Sequence, residues 1–148
     1  AGIYGMIGGQ AADIEAESGR TLTEELLLFI HENKTAALIQ AAMMIGAILA
    51  GADREAVLAM EKAAYNIGIA FQIQDDILDV TSTLEVLGKP VGSDEKNHKL
   101  TFVTLHGLEE SKEEVKRMSK EALSILRSFD HKNEFFEELV DSLITRER

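Results

Sequence analysis

Cysteine is absent from this 148-residue chain, and proline occurs once, at position 90. The lack of cysteine excludes disulfide staples, thiolate nucleophiles and thiolate zinc sites, leaving carboxylate, histidine, amide and hydroxyl chemistry. Hard cations such as Mg²⁺ are the metals that such oxygen donors favour. Positive charge is also scarce: 15 Lys and Arg stand against 26 Asp and Glu, a net charge of −11. Nucleic-acid backbones are bound by concentrated Lys and Arg, so no nucleic-acid partner is expected. A phosphate-bearing ligand would need a mediating cation. Residues 36–52, apolar except for Gln40 and glycine, form the longest hydrophobic run. That run falls short of the roughly 20 residues of a membrane span, and Lys34 and Asp53 bracket it. A buried central helix is expected there, and no transmembrane segment. No positive segment precedes an apolar stretch at the start, so no signal peptide is read and a cytoplasmic location is expected. The chain opens without Met in a glycine-dense segment, as a cut piece would.

What is present favours a single all-α domain over residues 1–148. Apolar residues make up 45% of the chain, enough for a sizeable core, and abundant Ala, Leu, Glu and Lys are helix formers. No segment reads as a strand. Over residues 1–16, Met6, Ile7, Gln10, Asp13 and Ile14 recur at helical spacing, and the glycines among them would permit close helix packing. Thr23 is a candidate cap for a helix that carries Leu26, Leu27, Ile30 and Leu38 along one side and continues to Ala50, where Gly51 stops it. Asp53 caps the next, which runs through Tyr65, Phe71 and Ile77 to about Asp79. Periodicity fails over 81–97, where Gly88, Pro90 and Gly92 mark a loop; loops of that length are usually functional or mobile. Residues 98–106 suit a short helix. Residues 109–129 carry a stripe of Val115, Met118, Ala122, Ile125 and Phe129, and a final amphipathic helix starts at Asn133 with Phe136, Leu139, Val140 and Leu143.

The chemistry concentrates in Phe71-Gln72-Ile73-Gln74-Asp75-Asp76-Ile77-Leu78-Asp79. Asp75 and Asp79 are four apart, so a helix puts them on one face about 6 Å apart along its axis, with Gln72 a turn below. Three carboxylates in five residues repel one another and are costly unless a positive charge joins them. A solvated acidic helix end is the plain reading of such a cluster; the apolar flanks count against it. In His31-Glu32-Asn33-Lys34-Thr35, a lysine and a hydroxyl stand together and could meet an anionic ligand. By itself that lysine reads as a helix-surface residue. Gly8-Gly9-Gln10-Ala11-Ala12-Asp13 sets Gln10 and Asp13 on one helical face, as an ordinary buried polar pair or a ligand-facing one. Gly88-Lys89-Pro90-Val91-Gly92-Ser93-Asp94 is either a plain turn or a lysine presented over the acidic helix.

In this order and spacing the four segments resemble the trans-isoprenyl diphosphate synthases, the polyprenyl, farnesyl and geranylgeranyl diphosphate synthase family. Gly8 to Ile14 looks like that family's G-G-Q-x-x-D-[LI] element and His31 to Leu38 like its H-x-x-K-T-x-x-L element. Phe71 to Asp79 is similar to its second aspartate-rich motif, F-Q-x-x-D-D-x-x-D, and Gly88 to Asp94 to the G-K-x-x-G-x-D that follows. The resemblance implies an isoprenoid-synthase-type helical bundle and a prenyltransferase that condenses isopentenyl diphosphate with an allylic diphosphate by Mg²⁺-assisted ionisation. It assigns Asp75, Asp76 and Asp79 to the magnesium motif, with Asp75 as direct ligand and Asp79 acting through water. It places Lys34 and Lys89 on the allylic diphosphate, Thr35 and Gln72 along the reaction centre, and Lys99 as a further diphosphate-facing lysine.

Members of that family are about twice as long and carry a first aspartate-rich motif that this chain lacks. The resemblance therefore implies the C-terminal half of a synthase, inactive by itself, with one wall of the active site. The alternative is a non-catalytic accessory subunit of a heteromeric synthase. Half a helical core should expose apolar surface, so a homo-oligomer is expected. Ala36 stands where the family often has Gly, a change expected to have little consequence.

Overall fold

The structure, a computed structural model, describes residues 2–18, 21–87, 100–130 and 133–145. Seven α-helices run through them in order: α1 (Met6–Glu17), α2 (Glu24–Ile30), α3 (Ala37–Leu49), α4 (Arg54–Leu87), α5 (Phe102–His106), α6 (Leu108–Arg127) and α7 (Glu134–Thr145). A π-helical turn, His31–Ala36, joins α2 to α3 without a break. The described residues contain no strand, and none of their helices is long and apolar enough to cross a membrane. Thr23 caps α2 by accepting the Leu26 N–H at 3.2 Å, and Asp53 accepts the Ala56 N–H at 2.8 Å, both as their positions predict.

The central element is α4. Its middle carries Ala63, Ala64, Ile67, Ile69, Ala70, Ile73 and Ile77, which are buried in several directions because α3, α6, α5, α7 and the π-turn all pack on this one helix. Helix α6 meets it with Val115, Met118, Ala122 and Leu126, and α7 adds Val140. The run 36–52, expected to be the buried central helix, is different. Among its helical residues Ala37–Leu49 none is buried, and Ile45, Ile48 and Leu49 are exposed. One side of α3 rests on α4, and no described element covers the other.

Three further expectations change. Leu38 does not share the side of Leu27 and Ile30; it is 47% exposed while they are buried. The π-turn adds a residue to the helical repeat, so everything after it is rotated relative to an uninterrupted α-helix. Helix α4 does not stop near Asp79 but extends through Leu87, well into the expected loop. There Val80 packs on the core, so packing outweighs weak propensity, and the Thr81 hydroxyl back-bonds the Ile77 carbonyl at 2.9 Å. Finally, α5 begins at Phe102, not at 98, because Thr101 is extended and caps it. The rest of the predicted loop, 88–97, together with His98 and Lys99, lies outside the described residues.

Helix α1 buries its small residues, not its large ones. Gly5, Gly9 and Ala12 face inward whereas Ile7 and Ile14 are exposed. A Cβ on Gly9 would lie 2.3 Å from the Lys34 nitrogen, so α1 and the π-turn meet backbone to backbone. On the other side, a Cβ on Gly68 of α4 would lie 2.5 Å from the Ala36 Cα and 2.6 Å from its Cβ. The π-turn is gripped between two glycines. Ala36 is fully buried at this contact, so its methyl group occupies space that Gly68 leaves free.

Candidate functional site

A cavity of about 360 Å³ opens between α1, the end of α2, the π-turn and α4. Its floor is apolar, with Leu27 and Ile30 from α2 and Leu100 from the stretch before α5. Its polar wall comes from three elements. The π-turn contributes His31 and Lys34, α1 contributes Asp13, and successive turns of α4 contribute Gln72, Asp75, Asp76 and Asp79.

The geometry within this wall is specific. Lys34 Nζ lies 2.5 Å from Asp13 Oδ2, an ion pair whose lysine is one-third exposed and whose aspartate is mostly covered. Gln72 Nε2 donates to Asp75 Oδ2 at 3.3 Å. Asp75 and Asp76 are half-buried, and Asp79 is exposed at the cavity mouth. Asp76 Oδ2 accepts the Phe102 N–H of α5 at 2.8 Å and lies 3.8 Å from Nε2 of the buried His31. Behind the wall, the Tyr65 hydroxyl donates to Glu32 Oε1 at 2.7 Å and ties α4 to the π-turn. Burial, reinforced by the neighbouring Glu32 carboxylate, pushes the Tyr65 phenol up to about 12. Asn33 Nδ2 donates to the Phe29 carbonyl at 2.9 Å, one turn back along the chain.

Five of the residues singled out in the sequence thus meet at one cavity: Lys34, Gln72, Asp75, Asp76 and Asp79. Thr35 is half-buried in the same turn but does not line it. Lys89 and Lys99, with the whole segment 88–99, lie outside the described residues. Asp13, which its spacing left open as a buried pair or a ligand-facing residue, faces the cavity as the partner of Lys34, whereas Gln10 does not line it. Sequence reasoning assigned no role to His31. Its signal was an imidazole three residues before Lys34, which the π-turn brings to the same wall.

Among the described residues no three acidic or histidine side chains converge into a ready-made metal cage. The donor chemistry nevertheless fits Mg²⁺, which is commonly held by one or two carboxylates with water and substrate phosphate oxygens completing its shell. Asp75 and Asp79, hard oxygen donors on one face of α4, would suit that role.

Residues 2–142 match the polyprenyl synthetase family. The chain belongs to that family. A dimethylallyltranstransferase of Fischerella ambigua (strain UTEX 1903) is 42% identical over 145 residues, covering 98% of this chain and 42% of the relative. The farnesyl diphosphate synthase of Bacillus subtilis (strain 168) is 42% identical over 147 residues, covering 99% and 49%. This polyprenyl synthetase chain therefore spans less than half the length of either. Among solved structures, the geranylgeranyl pyrophosphate synthetase of Pyrococcus horikoshii superposes with a TM-score of 0.77 at 29% identity, covering 95% of this chain and 55% of that one. Geranyltransferase from Helicobacter pylori, complexed with magnesium and isoprenyl diphosphate, superposes at 0.70 with 35% identity, covering 97% and 46%.

Proposed function

We propose that the protein carrying this polyprenyl synthetase chain is a trans-prenyltransferase that condenses isopentenyl diphosphate with an allylic diphosphate. The observation that supports this most directly is the single cavity with Lys34 on one wall and the Asp75–Asp79 face of α4 on another. A lysine alone would attract a diphosphate, and carboxylates alone would repel it; the combination suits a diphosphate that arrives with a cation. Asp75 would hold Mg²⁺ directly, and Asp79, at the exposed mouth, would hold it through water. When bound, Mg²⁺ supplies positive charge that neutralises the diphosphate as the allylic C–O bond breaks.

The chain's own residues do the rest. Gln72 fixes the orientation of Asp75 through its amide. Lys34 leaves Asp13 for a diphosphate oxygen and, as a point charge, stabilises the leaving group most when its charge is fully developed. Leu27, Ile30 and Leu100 keep water from the carbocation until the isopentenyl double bond attacks it, and the resulting cation gives up a proton to the released diphosphate. Thr35, Lys89 and Lys99 belong to this machinery by the motif resemblance. The apolar faces of α1 and α3 fit a homo-oligomer. A non-catalytic accessory subunit would have no need of a lysine and three α4 aspartates converging on one cavity.

The test is direct. Full-length protein given both diphosphates and Mg²⁺ should yield a longer prenyl diphosphate, and chelation should abolish it. The 148-residue chain alone, with one wall of the site, should yield none. No product from the full-length protein would overturn the proposal.

A further inference from the structure

Asp76 sits in the middle of the acidic motif, yet its contacts differ from those of its neighbours. Its Oδ2 accepts the backbone N–H of Phe102, 26 residues further along the chain, at 2.8 Å. The same oxygen lies 3.8 Å from Nε2 of His31, which is 4% exposed. Phe102 is the first residue of α5, where backbone N–H groups lack intrahelical acceptors. Two other donors of that turn are satisfied locally: the Thr101 N–H by the Thr104 hydroxyl at 2.8 Å, and the Thr104 N–H by the Thr101 hydroxyl at 3.2 Å. Phe102 alone among these three turns to α4. Its part-buried bond to a carboxylate belongs to the stronger class of charge-assisted hydrogen bonds.

We propose that Asp76 is a positioning residue, whose carboxylate latches the start of α5 to the motif helix and leaves Asp75 and Asp79 to serve the cation. The latch holds Leu100, two residues before Phe102, on the cavity floor. An oxygen committed to a part-buried N–H is a poor metal ligand, since turning to the ion would strand that donor. The inference rests on the metal reading of the site given above and divides the motif's labour.

Two measurements on full-length protein test it. The first is amide exchange at Phe102. Asp76→Ala should speed it about tenfold or more, the scale of a lost hydrogen bond to a charged group, and Asp76→Asn, which keeps an acceptor oxygen, should restore much of the protection. The second is Mg²⁺ titration in the presence of inorganic diphosphate. Asp75→Asn should raise the midpoint about tenfold, as expected for a removed ligand, while Asp76→Asn shifts it less than about threefold. Unchanged exchange in Asp76→Ala overturns the latch. So does an Asp76→Asn midpoint displaced as far as that of Asp75→Asn. If Asp75→Asn does not move the midpoint, the metal reading fails, and exchange at Phe102 still upholds or overturns the latch by itself.

Discussion

Gly9 and Lys34 touch through their backbones: the Cβ that any other residue would bring to position 9 falls 2.3 Å from the Lys34 nitrogen and 2.8 Å from its Cα. Neither atom can swing aside as a side-chain tip would. Gly9→Ala should therefore destabilise the chain by about 2 kcal/mol, the overpacking cost exceeding alanine's helix preference. The melting temperature should fall by about 4–8 °C. Gly46→Ala, with nothing within 4 Å, should instead be neutral or slightly stabilising. Equal melting of the two variants would refute the backbone contact.

Gly68→Ala should behave like Gly9→Ala, since its methyl would meet the Ala36 Cα and Cβ. Ala36→Gly removes one of these two atoms. In the double variant it should recover part of the loss, giving a coupling of about 0.5 kcal/mol or more in a double-mutant cycle by denaturant unfolding. Strict additivity would show that Ala36 and Gly68 do not share this space.

Asp75 is half-buried and fixed by Gln72, while Asp79 is exposed at the cavity mouth. In full-length enzyme, Asp75→Ala should lower kcat about 10²-fold or more, the scale of a lost transition-state electrostatic contact, and Asp79→Ala should lower it less. Small, equal effects in steady-state assays would return the motif to a solvated helix end.

Lys34→Ala should reduce kcat more than it raises KM, because the contact proposed for it with the leaving diphosphate strengthens as charge develops. Asp13→Asn removes only the partner that holds Lys34 before substrate arrives, a pair worth about 1 kcal/mol or less at this exposure. Its kcat should stay much nearer to wild type. A larger loss for Asp13→Asn than for Lys34→Ala in the same assay would reverse these roles.

Tyr65 offers a pH signature. Its folded pKa is raised to about 12 by burial and Glu32, against 10 for the free side chain. The neutral phenol's stabilisation is fully present below pH 10 and is lost as pH rises through 12, since the unfolded chain gives up the proton first. Wild type should be more stable than Tyr65→Phe by about 1 kcal/mol at neutral pH, and the gap should close between pH 10 and 12 in urea unfolding. A gap that widens with alkali would contradict the hydrogen bond to Glu32.

The sequence by itself determined the all-helical class, the Thr23 and Asp53 caps, and the alignment of Gln72, Asp75 and Asp79 along one side of a helix. These follow from interactions within a turn or two of helix, where residue type and spacing carry the information. Tertiary structure decided the rest. The π-turn rotated Leu38 out of the apolar side because backbone register depends on what grips it, here Gly9 and Gly68 from two other helices. Packing of Val80 drew α4 beyond the end that propensity suggested. Packing also put burial on α4 and not on the more apolar α3, because burial depends on how many neighbours surround a helix. The partners of Asp13 and Asp76 lie 21 and 26 residues away, and spacing along one helix holds no record of an atom supplied by another.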